Sequence, residues 1–318
     1  MTYTIVKITP DTPEWLEERL SSIGASEVAA VLGLSKWQTP LSVYNAKMGV
    51  PSDFPAELSY VTHASEDVVA GWVEAFHPEW GTVEPGFMAR STAAPWLHAT
   101  FDRILLQPDG TRIPLQIKTG HQNAAKSWDD GVPADYQIQE QIEMLVYGAQ
   151  TARLVVMHGG RTFAFYDIER DDDFLNNFVI PTTGEFWTEN VLAKVAPQPY
   201  TSTEAAAVWP ANEEETVEAT DAELEKWVAY GGLLEDAKAV DVKIESLRFE
   251  LQQTMKTASR MTYNGAPLFA WKESKPVSRF NLAQFKADYA EVAADYMTVS
   301  PPARPFTRSA TNPVKATK

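Results

Sequence analysis

At 318 residues, with 44% hydrophobic side chains, the chain has material for one elaborated catalytic domain and an appendage. It holds no cysteine, which excludes disulfides, thiolate metal sites, iron–sulfur clusters and a cysteine nucleophile. The formal net charge of −16 argues against a generally basic nucleic-acid coat, and the absence of a long apolar run or a basic-then-apolar leader makes a cytoplasmic protein without a membrane span the expectation.

Thr12 as N-cap followed by Pro13 and Glu14 predicts a first helix running to about Leu20. A second is expected from near Ser26 to Gly33, and a third after Thr39-Pro40 that stops at Gly49. Ser65 is read as the cap of EDVVAGWVEAF, which places Glu66 in a first turn. From about residue 81, short runs broken by Pro and Gly predict strands of a sheet, with a hairpin at Pro108-Asp109-Gly110 before RIPLQIKTG. A helix over about 134–147 and two strands linked by Gly159-Gly160 follow. The stretch 171–195 reads as helical, interrupted between Pro181 and Gly184. Residues 198–215 read as a linker, 220–260 as one long helix with a loose apolar stripe and a break at Gly231-Gly232, and the remainder as a small strand element and a terminal helix. Charge is uneven along this half: residues 201–260 hold 13 acidic and 6 basic side chains, 261–318 hold 4 and 8, so a local basic surface is compatible with an acidic whole.

The most informative stretch is Asp102, the hairpin, and Gln116-Ile117-Lys118. On a strand, positions 116 and 118 share a face, and an antiparallel neighbour can set Asp102 beside them. Two oxygen donors and an ammonium would then converge, as Mg²⁺-assisted phosphodiester hydrolysis requires, with the Ile117 carbonyl as a further ligand. The bare D-x₁₃-Q-x-K spacing is also met by any hairpin that is polar at both ends. Glu66 offers a second carboxylate, and equally a first-turn residue favoured by the helix dipole. The five histidines show no zinc-hydrolase spacing, and neither a phosphate-binding G-x-x-x-x-G-K-[ST] loop nor a G-x-S-x-G elbow occurs.

Arg19-x₆-Ser26 in RLSSIGASEVAAVLGLSKWQTP, then SEDVVAGWVEAF, HATFDRILL, LQIKTG and VPADYQIQEQIEMLVYG, come in an order that resembles the lambda-exonuclease-like, YqaJ-type viral recombinases of the PD-(D/E)XK nuclease superfamily. The resemblance spans about residues 14–170 and is weaker over 220–310. It implies an α/β, restriction-endonuclease-like core with a central mixed sheet flanked by helices in residues 1–200, and a helical appendage with its linker in 201–318. It further implies a 5′-to-3′ double-stranded DNA exonuclease of phage-type recombination, working with two Mg²⁺ or Mn²⁺ ions in the bacterial host cytoplasm. Partners implied are DNA ends, a single-strand annealing recombinase and further copies of the chain, a ring trimer among the options.

By position, Asp102 resembles the family's metal-bridging aspartate, Lys118 its catalytic lysine and Glu66 its helix-borne metal ligand. Arg19 and Ser26 match positions that hold the terminal 5′-phosphate, and Gln139 and Gln141 match a Q-x-Q that grips the DNA strand. Helical spacing sends those two glutamines to different faces, with Gln139 the substrate-facing one. Arg19 as a helix-end cation and Ser26 as an N-cap are the plain alternatives. The sequence departs from the family at Gln116, an amide where the family has Glu, which leaves an endonuclease with the same site or a DNA-end-binding protein as alternatives. Any positive groove must come from Arg19, Lys36, Arg103, Lys118 and Lys126, with Trp37 either a base-stacking platform or half-buried packing.

Overall fold

A computed structural model describes residues 2–8, 12–51, 56–212, 214–298 and 305–307. The chain divides into two compact units, Met1–Val208 and Trp209–Lys318.

The first unit is a mixed α/β assembly built on two sheets rather than one. Strands β1 (Tyr3–Val6), β2 (Ile23–Gly24), β4 (Met88–Ser91) and β5 (Leu97–Thr100) make a sheet of order β1-β4-β5-β2. Strands β3 (Thr82–Pro85), β6 (Arg103–Leu106), β7 (Arg112–Gly120), β8 (Thr151–His158) and β9 (Thr162–Glu169) make the larger sheet in the order β3-β6-β7-β8-β9. Its β7–β8 pair is parallel and the rest antiparallel, so the sheet is mixed. β8 buries Leu154 and Val156 on one face and Val155 on the other, whereas β7 is apolar on one face only, with Ile113, Leu115 and Ile117, and buries Gln116 on the opposite face.

Helix α1 (Pro13–Leu20) starts at the Thr12 cap, and α3 (Pro40–Lys47) at the Thr39 cap, as expected. Helix α2 (Ala25–Val31) is capped by Gly24, whose N–H donates to Glu27 Oε2 at 2.7 Å, so Ser26 is an exposed residue of the first turn and not its cap. Helix α4 (Ala56–Phe76) corrects the reading at Ser65: the helix begins nine residues earlier, and the Ser65 hydroxyl donates back to the Val61 carbonyl at 2.7 Å. Apolar periodicity fails as a start signal there because the first turns, AELSYVTH, carry exposed Leu58, Tyr60 and Val61 instead of a core stripe. Helix α5 (Ala134–Tyr147) ends on Gly148 in the left-handed region at φ 88°, where a side chain would meet Thr2.

α4 lays Val69 and Val73 on Leu115 and Ile117, one face of β7. α5 turns Ile138, Ile142 and Val146 toward a second cluster with α2 and the smaller sheet. The run 172–192 is helical throughout, with wide π turns at Leu175–Val179 and Phe186–Leu192 flanking Ile180–Glu185; these absorb Pro181 without a break. Part of the expected linker is a helix, Ser202–Val208, fastened to the core by Glu204 on the Thr39 hydroxyl and by Tyr200 on the Gly33 carbonyl.

In the second unit the long helix Asp221–Met255 is continuous through Gly231-Gly232, and a hairpin of β10 (Arg260–Tyr263) and β11 (Ala266–Ala270) follows, then short helices Leu282–Asp288 and Ala290–Asp295. Arg304, Arg308, Lys315 and Lys318, half of the cations of residues 261–318, lie outside the described residues. No described helix is long and apolar enough to cross a membrane.

Candidate active site

Asp102 lies between β5 and β6, where the chain passes from one sheet to the other. The β6–β7 register pairs Arg103 with Leu115, so one step further Asp102 faces Gln116. Its Oδ2 accepts from Gln116 Nε2 at 2.7 Å and from the Ile117 backbone N–H at 2.8 Å. Gly86 makes that position possible: a Cβ there would stand 1.8 Å from the Phe101 carbonyl oxygen and 2.5 Å from that of Asp102. Burial pushes the Asp102 carboxyl up, against the opposing pull of Lys118 and the Ile117 N–H.

Lys118 shares the Gln116 face of β7 and reaches α5, where Nζ donates to Gln139 Oε1 at 3.0 Å, 5.2 Å from the centre of the Tyr136 ring. Gln139 Nε2 donates in turn to Glu143 Oε1 at 2.8 Å. An amide has one donor end and one acceptor end, so the Glu143 contact fixes the Gln139 oxygen toward the ammonium. Glu143 and Glu140 are both buried; Glu143 Oε2, both Glu140 oxygens and Gln116 Oε1 have no hydrogen-bond partner. Burial, then the nearby Asp102 charge, raises Glu143 to about 8, and burial beside Glu143 raises Glu140 well above the carboxylate range. These two acids were not among the sequence candidates. The i,i+4 spacing from Gln139 was the available signal for Glu143; Glu140 gave none, being one residue from a glutamine in a polar-looking run.

Glu66 comes from the middle of α4. It is half-buried and raised to about 7, first by burial and then by repulsion from Asp102. Its neighbour Asp67 pairs with Arg103, whose guanidinium also donates to the Asp102 carbonyl. Glu66, Asp102 and Arg103 line one cleft of about 1020 Å³ together with Trp15 and His63.

Of the remaining candidates, Arg19 stacks its guanidinium over Trp15, 4.7 Å from the ring centre, and so stands one side chain behind that cleft. Nearby, Lys47 is buried with its Nζ on Glu27 Oε2 at 2.6 Å, and His98 is buried against Ser22 Oγ and kept far below its usual pKa by burial and by Lys47, Arg19 and Arg90. Gln141 is not brought to the site. Its Nε2 donates to the Glu169 carbonyl and its Oε1 accepts the Asp171 N–H, both at 2.7 Å, which ties α5 to the end of β9. Trp37 is 83% exposed, which removes the half-buried packing alternative; Lys36 and Lys126 are exposed as well.

Among the described residues no group of three acidic or histidine side chains is gathered tightly enough to hold a metal ion. The donor set nevertheless fits a hard cation once Gln116 is counted: the Asp102 carboxylate, the Glu66 carboxylate whose proton affinity burial and Asp102 raise, and a buried amide oxygen that accepts nothing.

Residues 14–150 match the YqaJ-like viral recombinase domain, a span that encloses Glu66, Asp102, Gln116, Lys118, Gln139 and Glu143. This segment is similar to the YqaJ-like viral recombinases. A relative described as uncharacterized protein YqaJ, from Bacillus subtilis (strain 168), is 33% identical over 193 residues, covering 58% of either chain, so the match spans little more than half of that relative's length. Crystal structures of LHK-Exo, an alkaline exonuclease from Laribacter hongkongensis, align with 62% of this chain and 100% of theirs. One, in complex with dAMP, has TM-score 0.45 and 17% identity; the other has TM-score 0.42 and 18% identity. The matched segment thus holds the whole Asp102 constellation, and the second unit lies outside the matched residues.

Proposed function

We propose that this chain is a metal-dependent exonuclease that degrades double-stranded DNA from a 5′ end and leaves a 3′ single strand for recombination. The observation that carries the reading is the meeting of Asp102, Gln116 and Lys118 across the β6–β7 register beside Glu66, inside a viral-recombinase domain. Glu66, Asp102, Gln116 Oε1 and the Ile117 carbonyl would hold Mg²⁺ or Mn²⁺, which when bound supplies Lewis-acid polarisation of the scissile phosphate.

The chain's own groups divide the remaining work. Gln116 Nε2 and the Ile117 N–H fix Asp102 through Oδ2. An ammonium has three donors; Lys118 spends one on Gln139 and keeps two for an attacking water or a phosphoryl oxygen. Arg19, held over Trp15, and the exposed Ser26 hydroxyl are the groups offered to a terminal 5′-phosphate. A single-strand annealing recombinase is the partner such a product calls for.

The test uses a linear duplex labelled at its 5′-phosphate, and a closed circle, each with the full chain and Mg²⁺. Release of labelled mononucleotides from the linear duplex, with the circle intact, supports the reading. Cutting of the circle makes the enzyme an endonuclease, and binding of the end without release makes the chain an end-binding module whose chemistry Gln116 has cost it; either result overturns the proposal.

A further inference from the structure

The long helix Asp221–Met255 carries its apolar side chains in the open. Leu233, Val240, Ile244 and Leu247 are 67%, 52%, 47% and 59% exposed, and Gly231 and Met255 are its only buried residues. Such a stripe on a helix of this length marks an association surface. Leu233, Ala237, Val240, Ile244, Leu247 and Leu251 recur at alternating steps of four and three, the 3.5-residue repeat of a coiled-coil seam. The seam runs into an apolar groove of about 420 Å³, where Ile244, Leu247 and Leu251 face Phe269 and Trp271.

The charges that flank the seam select the occupant. In a parallel pair of these helices, Asp236 would meet Asp241 of the other copy and Lys243 would meet Arg248, like charges at both places. In an antiparallel pair with Ile244 against Leu247 and Val240 against Leu251, Asp241 meets Arg248 and Lys243 meets Glu250, and the two-fold axis repeats both attractions. Within one chain Arg248 turns to Glu245 on its own exposed face, a contact weak enough to yield or be shared.

We propose that the long helix is the docking surface for a second copy of this chain, which lies antiparallel along the seam with Val240 of one helix facing Leu251 of the other. This proposal is independent of the chemistry at Asp102.

The test is run on the full chain. Because the sequence has no cysteine, single introduced thiols report cleanly. Val240→Cys and Leu251→Cys proteins, mixed and oxidised, form the mixed disulfide. Self-pairs do not form, because in the antiparallel register each thiol is 11 residues, about 16 Å along the axis, from its own copy, beyond disulfide reach. Sedimentation equilibrium shows a reversible dimer; Leu247→Glu weakens it by about 30-fold or more, and Asp241→Lys by roughly tenfold, with helix content unchanged. A monomer at about 100 μM, self-paired 240–240 disulfides, or tighter association in Asp241→Lys each overturns the proposal, the last two because they report a parallel pair. Should Leu247→Glu fail to fold, the disulfide pattern and the sign of the Asp241→Lys effect decide alone.

Discussion

Replacing Gln116 with Glu exchanges a donor for a second carboxylate at the 2.7 Å contact with Asp102 Oδ2. Two full charges at that separation repel by about 6 kcal/mol at an effective dielectric constant of 20, more than it costs to keep one proton. The pair therefore shares a proton in the metal-free protein, and the destabilisation is capped by the work of protonating one ordinary carboxyl: about 4 kcal/mol near pH 7 and about 1 kcal/mol near pH 5. Urea unfolding of Gln116→Glu and the parent chain without metal, at both pH values, measures that difference. Added Mg²⁺ should displace the proton, recover most of the loss and lower the concentration of metal needed for activity. A cost that is the same at both pH values, or that Mg²⁺ leaves in place, would refute the placement of Gln116 Nε2 on Asp102 and its oxygen as a metal donor.

Glu143→Gln keeps the acceptor for Gln139 but removes a carboxyl whose folded pKa, about 8, exceeds its unfolded value. Below the unfolded pKa both states are protonated and the substitution is neutral; above it the unfolded chain ionises first, so the variant's advantage grows between about pH 4.5 and 8, reaching a few kcal/mol in denaturant titrations. A gap that stays flat over this range contradicts the burial of that acid. Gln141→Leu removes two partly buried hydrogen bonds and should cost about 1–3 kcal/mol of stability while leaving DNA affinity per folded molecule unchanged; weaker binding at unaltered stability would restore Gln141 to the DNA surface. Arg19→Gln should lower the preference for 5′-phosphoryl over 5′-hydroxyl ends by roughly 10- to 100-fold, read as the ratio of initial rates, and an unchanged ratio removes Arg19 from the end-binding role.

The Asp102–Gln116 contact was legible because a hairpin between Arg103–Leu106 and Arg112–Gly120 leaves one register, and strand alternation then puts Lys118 on the same face. Caps and turns, Thr12, Thr39 and the Pro108-Asp109-Gly110 hairpin, were legible for the same local reason. What spacing does not encode is the partner across the fold. Glu140 and Glu143 become notable only when α5 closes over β7, Gln141 finds Glu169 and Asp171 from elements 28 and 30 residues away, and Gly86 matters only where two sheets meet at Asp102. The start of α4 was missed because its first turns have little core to face.

The chemistry at Asp102 is tested most directly by the initial rate of nucleotide release from a linear duplex with Mg²⁺, compared among the parent chain, Asp102→Asn and Lys118→Met, with binding of the same duplex measured alongside. The account predicts that both variants fold and bind the end while release falls by about 100-fold or more. Release that survives in both would contradict it.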